Sequence, residues 1–253
     1  MRLIVLQELK VDIRRAIYSL SFLVSVINMM LVIFMGIGKQ LFPNTIAAGL
    51  NPYYHSDMVF RALSSDIVLM AVPQICTLPY TAAFLDEFTS GYIKTYLMKC
   101  DKQRYINAKV IAAGISGGLA IVIGIMGAYF LSSLIYKPME IYEPSAVAPY
   151  LDLIKKSLVF LCAGCLLSSV GALLANLSMS KYMAYAAPFV IYYMLVILSE
   201  RYFTDLYVIN PQEWLKMQEF WPGKEWGIML LMFLLNVIVM LINSAVIERK
   251  LDS

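Results

Sequence analysis

Apolar residues in this chain come in long unbroken runs, and the charged residues gather between them. A helix that crosses a hydrocarbon core of roughly 30 Å needs about 20 apolar residues. Six stretches free of Asp, Glu, Lys and Arg meet that requirement: residues 16–38, 67–85, 110–136, 157–180, 182–199 and 226–247. They do not alternate apolar with polar at every second position, so they predict helices and not the strands of a membrane barrel. Only Lys181 divides the fourth run from the fifth. One helix through both would be far too long for a single crossing, so Lys181 predicts a tight hairpin. The first run is longer than the apolar core of a cleavable signal peptide and no small-residue cleavage site follows it, so it is expected to remain as a span.

Composition agrees with this pattern. Of 253 residues, 60% are apolar and 15% charged, and the mean hydropathy is +0.72. A soluble domain of this length has no core large enough to hide that much apolar surface. The predicted class is an all-α integral membrane protein with six transmembrane helices in one domain over 1–253. A net charge of +3 spread along the chain gives no basic patch for nucleic acid.

Lys and Arg set the orientation. Twelve of them fall in the segments before the first run, between the second and third, at Lys181 and after the sixth; eight fall in the other loops. The richer side is expected to be cytoplasmic, with both termini inside. The neighbouring pair Lys155 and Lys156 goes against the trend.

Three polar segments stand out. In residues 1–15, Leu3, Leu6, Ile13 and Ile17 recur at helical spacing while Arg2, Glu8, Asp12 and Arg15 fall elsewhere. That spacing reads as an amphipathic helix in the cytoplasmic interface or as a positive anchor for the first span. The loop 86–109 opens on Asp86 and Glu87, continues through Gly91 and the apolar cluster Tyr92, Ile93, Tyr96, Leu97 and Met98, then reaches Asp101, Lys102, Arg104 and Lys109. It reads as a short helix offering one face to a cytoplasmic partner, or as span helices running on into solvent. The outer segment 200–225 leads to the last span through Trp214, Trp221 and Trp226, joined by Tyr202, Phe203, Tyr207 and Phe220 and broken by Pro211 and Pro222. Aromatic rings favour the headgroup layer, so short helices lying in the outer interface are expected before the last span.

Much chemistry is missing. The single histidine, His55, lies in an outer loop, which leaves no histidine-based triad or zinc site inside a span. No catalytic residue and no metal ligand set is predicted. Gly114-Ile115-Ser116-Gly117 resembles the serine motif of rhomboid-type proteases, but no span supplies the histidine; Gly114 and Gly118 read better as a seam for close helix packing. Cys162 and Cys165 sit deep in the fourth run among small residues and also read as packing. No phosphate loop of the form G-x-x-x-x-G-K-S/T occurs, so this chain cannot be a P-loop ATPase. The amides Asn28, Gln74, Asn176, Asn236 and Asn243 fall within the runs. They suit either a path for an amphipathic substrate, with Asn28, Gln74, Asn176 and Asn236 as candidate lining, or hydrogen bonds between helices. Pro73, Pro79 and Pro188 are expected to bend spans two and five.

The arrangement resembles the membrane subunits of ABC-2-type ABC exporters, particularly the short permeases of bacteriocin or antimicrobial-peptide export and immunity. The resemblance covers nearly the whole chain: the helix at 1–15, six spans with both ends inside, the loop after span two, and the broken aromatic segment before span six. The family's loop carries an acidic residue, a glycine, an apolar stretch, a basic residue and a lysine entering span three; here those are Glu87, Gly91, Leu97, Arg104 and Lys109. Where the family often has a proline, this chain has Lys99-Cys100-Asp101. The resemblance implies that residues 86–105 form a coupling helix docked on a separate ATPase subunit. It makes Asp86, Glu87, Gly91, Tyr96, Leu97, Asp101, Arg104 and Lys109 the coupling candidates. It further implies two permease chains and two ATPases in a bacterial plasma membrane, ATP and Mg on the ATPases and no cofactor in this chain. The cargo would be a peptide or an amphipathic, lipid-like molecule moved outward. An intramembrane enzyme, or an ATP-independent channel or assembly protein, stays open as an alternative.

Overall fold

A computed structural model describes residues 2–38, 50–98, 100–141, 150–203, 206–217 and 221–252, with the side chains of residues 2–7, 94, 207 and 224 outside the description. Leu3, Leu6, Arg2, Lys99, Tyr207 and Phe220, used in the sequence reading, thus lie wholly or by their side chains outside the described residues. Eleven α-helices follow in order: α1 (Arg2–Ile17), α2 (Leu20–Ile37), α3 (Tyr54–Ala62), α4 (Asp66–Ile75), α5 (Ala83–Thr89), α6 (Tyr92–Leu97), α7 (Lys102–Tyr136), α8 (Tyr150–Ser178), α9 (Lys181–Arg201), α10 (Pro211–Lys216) and α11 (Lys224–Asp252). The described residues contain no named strand; Leu50 and Glu140 form one isolated bridge.

Among the described residues five helices are long and apolar enough to cross a membrane: α2, α7, α8, α9 and α11. The pair α3 and α4 passes the same test only when taken together, across a 67° bend. The protein is therefore an all-α, multi-pass membrane protein by architecture. Its outer surface is apolar, with Leu20, Leu31, Phe130, Leu230 and Leu241 more than half exposed, as expected where hydrocarbon and not water is the solvent.

The second run departs from a straight span. Residues 67–85 form a helix only over α4 and the start of α5, with turns from Cys76 to Ala82 between them. Pro73 lies inside α4 and Pro79 in the turn, and each removes a backbone donor and crowds the preceding turn. A side chain repairs part of the loss: Ser25 of α2 donates at 2.7 Å to the Ile75 carbonyl, which Pro79 leaves without its i+4 donor, while Thr77 and Thr81 donate within the turn to the Gln74 and Thr77 carbonyls at 2.8 and 2.5 Å. The bend before α4 is held differently. Lys156, fully buried on α8, donates to the Phe60 carbonyl at 3.1 Å and to the Ser64 hydroxyl, and its ammonium lies 4.1 Å from the centre of the Phe60 ring. It satisfies the free carbonyl end of α3.

α7 and α8 pack along a glycine seam. A Cβ added at Gly118 would lie 2.5 Å from Cys165 Sγ, one at Gly117 would lie 2.5 Å from Ser168 Cβ, and one at Gly164 would lie 2.9 Å from the Gly118 Cα. Ser168 donates across the seam to the Ala113 carbonyl at 2.6 Å. Gly114, Gly118 and Cys165 are thus packing residues, as their spacing suggests; Cys162 is partly buried and packs at the edge of the main core. The hairpin at Lys181 is also present: α8 ends at Ser178, Met179 takes a left-handed φ of 54°, and α9 begins at Lys181.

Candidate functional site

The two ends of the bundle collect the charges as the loops divide them. One end brings together α1, the α5–α6 segment and the N-terminal part of α7. There Lys109 on α7 is buried, and its ammonium donates to Asp12 Oδ1 at 2.8 Å, Glu87 Oε1 at 2.6 Å and the Tyr80 hydroxyl at 2.9 Å. All three donors of the ammonium are used. Tyr80 donates to Asp12 Oδ1 at 2.8 Å and Tyr105 to Glu87 Oε2 at 2.6 Å, so each carboxylate has a second donor. Arg15 lies 3.4 Å from Glu87 and balances the charge; its guanidinium pKa is raised, chiefly by a hydrogen bond with Tyr92. Taking two carboxylates and an ammonium out of water is costly unless they are well paired; here the ammonium uses all three protons and each carboxylate accepts from two donors.

A second contact set ties α1 to α6. Glu8 accepts from the Tyr96 hydroxyl and, at 2.9 Å, from the Cys100 thiol. These hydrogen bonds, Cys100 first, hold the Glu8 carboxyl below its ordinary range; the bond to Glu8 pushes the Cys100 thiol up, and burial, then the bond to Glu8, pushes the Tyr96 phenol up.

This geometry corrects the reading of residues 1–15. Asp12 is not on a solvated face; it is buried, and Glu8, Asp12 and Ala16, spaced by four, form the face turned to the bundle. The apolar Val11 and Ile17 are exposed instead. Lys109 outweighs the hydrophobic pattern because an unpaired buried ammonium would cost more than two exposed apolar side chains.

The coupling candidates separate into inward and outward groups. Glu87, Tyr96 and Lys109 face the bundle through the bonds above, and Leu97 packs on the cluster of Phe84, Ile93, Tyr105, Ile106, Val110 and Ile247. Gly91 joins α5 to α6 with φ of 73°, a left-handed turn that a side chain would strain. Asp86 forms an exposed ion pair with Lys181 on α9. Asp101 and Arg104 make a solvent-facing pair at 3.6 Å, a weak contact. Of the apolar patch, Ile93 turns inward, while Tyr92 and Met98 stay exposed, Met98 at 78%.

The four path candidates do not converge. Asn28 and Gln74 line one cleft of about 590 Å³ between α2, α4 and α9, with Val32, Ile75, Tyr182 and Tyr185. Neither carboxamide has a hydrogen-bond partner among the described residues. Asn176 is elsewhere, buried between α8 and α11, where it donates to Asn243 Oδ1 at 2.8 Å. Asn236 lies on α11 with a buried Oδ1 that has no partner among the described residues.

At the opposite end His55 is buried, with Nδ1 2.6 Å from Glu140 Oε1 and Nε2 3.4 Å from the Tyr129 hydroxyl. The Glu140 carboxylate also accepts from the His55 backbone N–H at 2.8 Å. This pair ties α3 to the end of α7. Among the described residues no group of three His, Cys, Asp or Glu side chains is placed to hold a metal. In the outer aromatic segment α10 is present, and Trp214 donates from Nε1 to the Val208 carbonyl at 2.8 Å. Trp214 and Trp221 are buried whereas Trp226 is 69% exposed, so of the three tryptophans the last suits a headgroup belt, together with the exposed Tyr202 and Phe203.

Sequence reasoning missed Glu8, Asp12, Arg15, Tyr80, Tyr105 and Cys100 as members of the inner cluster. The available signal was the acidic spacing of four in α1 together with a lysine at the entrance of a long apolar run. Comparison of the chain with family models, with curated proteins and with solved structures finds no match in any of the three.

Proposed function

We propose that the chain is the membrane-spanning permease subunit of an ATP-driven exporter of the ABC-2 type. In this reading the bent pair α3–α4 and the turns after it make the second of six crossings, and both termini lie in the cytoplasm of a bacterial cell with the Lys109 cluster on that side. ATP and Mg would be held by separate ATPase subunits, and a second permease chain would complete the unit. The substrate is a peptide or an amphipathic, lipid-like molecule moved outward, with the Asn28 and Gln74 cleft as its path.

One observation carries this reading: Lys109 joins three separate segments through buried ionic bonds. A force applied to the exposed Tyr92 and Met98 face would move α5–α6, α1 and the start of α7 as one body, because separate movement would strip a buried ammonium of its partners. ATP binding by an engaged ATPase would then shift the population of permease conformations through its differential affinity for them.

The test is reconstitution of the chain with a candidate ATPase subunit in vesicles, with and without residues 90–102. Loss of ATPase binding and of substrate-stimulated hydrolysis on deletion is expected. Retention of both sinks the lever, and outward flux without nucleotide hydrolysis favours a channel.

A further inference from the structure

The glycine seam draws α7 and α8 together only over part of their length. Beyond Ile121 and Gly164, larger side chains replace the small ones, and the helices frame an apolar groove of about 440 Å³. One wall carries Val122, Met126 and Tyr129; the other carries Tyr150, Ile154 and Leu161. On α7 these recur at intervals of four and three, and on α8, with Ser157 or Leu158 between Ile154 and Leu161, likewise, so each wall is a single stripe. From Tyr150 to Leu161 the stripe runs about 16 Å along α8.

Polarity is confined to one end. Tyr129 and Tyr150 sit there, their rings edge to face with centroids 6.4 Å apart. The one other hydroxyl in the lining, Ser157, already donates to the Leu153 carbonyl at 2.8 Å. The rims are open: Met126 is 64% exposed and Ile154 56%. Both helices are long and apolar enough to cross a membrane, so the medium at this groove is hydrocarbon. A helix, about 10–12 Å wide with its side chains, is too broad to enter a space of this volume, whereas one alkyl chain fits. A cleft that is apolar along its length and hydroxylated at one end matches an amphiphile with a tail and a hydrogen-bonding head.

We propose that this groove is a retained-lipid site that takes one acyl tail of a membrane phospholipid, with the headgroup at Tyr129 and Tyr150. The site differs from the Asn28 and Gln74 cleft in its helices and chemistry, and it rests on the membrane architecture alone, not on the exporter reading.

The full chain in phosphatidylcholine nanodiscs containing a phosphatidylcholine with a mid-chain diazirine tests the proposal. Photolabelling of residues 122–129 and 150–161 is expected to exceed that of the lipid-facing residues Leu230, Phe233 and Leu234 by about tenfold, the ratio for a site favoured by roughly 1.4 kcal/mol. Val122→Trp, which fills the groove, is expected to bring that labelling down to the α11 level; Ser157→Phe serves if the tryptophan variant does not fold. Equal labelling of groove and α11 overturns the proposal, because it means ordinary lipid contact. Undiminished labelling in a folded groove-filling variant overturns it as well, as does cross-linking of the groove to a second polypeptide in place of lipid.

Discussion

Lys109 and Asp12 are separated by 97 positions in the chain and by 2.8 Å in space. Their contact, shared with Glu87, fixes the amphipathic N-terminal helix to the entrance of α7. Replacing Lys109 with Met leaves two carboxylates facing each other in a buried site. A loss of about 3–5 kcal/mol is expected, read as a fall in melting temperature. Adding Asp12→Asn is expected to recover part of it, and a double-mutant cycle that shows simple additivity would argue against the bond.

Glu8 gives a pH dependence of known sign. Its folded-state pKa lies below the ordinary value of 4.5 because the Cys100 thiol and the Tyr96 hydroxyl donate to the carboxylate. A depressed pKa contributes stability that is full above the unfolded value and is lost as pH falls through the folded one. Hydrogen exchange is therefore expected to report a loosened α1–α6 contact only under acid conditions below that ordinary value. Glu8→Gln removes the acid dependence of this contact; an unchanged profile in that variant assigns the effect to another group.

The glycine seam predicts a steric penalty. At Gly118 a Cβ would meet Cys165 Sγ and the Leu161 carbonyl, one of which is backbone and cannot move aside. Gly118→Val is expected to cost about 1–3 kcal/mol through overpacking. Gly118→Val combined with Cys165→Ala is expected to recover less than half, as thermal unfolding would show.

In the exporter reading, two asparagines separate structure from transport. Asn176→Leu orphans the buried Asn243 and is expected to cost about 1–3 kcal/mol. Asn28→Leu removes a carboxamide with no partner among the described residues and is expected to change stability by less than about 0.5 kcal/mol while lowering flux of a polar amphipathic substrate. Flux unaltered in Asn28→Leu takes the cleft out of the path.

The exposed patch gives the last prediction. Met98→Glu on the surface of the α6 end leaves the melting temperature unchanged, because Met98 is 78% exposed. In the exporter reading it is expected to abolish pull-down of the ATPase; a normal pull-down places the docking face elsewhere.

The helical, multi-pass class was legible because charge-free runs depend only on the bilayer thickness and on the cost of burying ions. The hairpin at Lys181 and the packing role of Gly118 followed from chain length and residue size alone. The interior of the inner cluster was not legible. Glu8 and Asp12 look like solvated positions until Lys109, a distant residue in sequence, arrives beside them, and no local pattern encodes that meeting. Pro73 and Pro79 announced a break, and the turns at 76–82 lie where they stand, but the further 67° bend at residues 63–65 holds no proline and depends on Lys156 of α8 and the free carbonyl end of α3. Asn28 and Asn176 are the same residue type in the same kind of run, and only the position of Asn243 separates them.

The brevity of α4 bears on how the protein is made. Ten residues of helix cover about 15 Å, half the hydrocarbon thickness, so this segment carries too little apolar length to settle in a bilayer alone during synthesis. Its neighbours α2, α7, α8 and α9 supply the protein surroundings its proline-interrupted backbone needs. Three of those neighbours lie later in the chain, so the backbone of α4 gains its full protein surroundings only after they have been made.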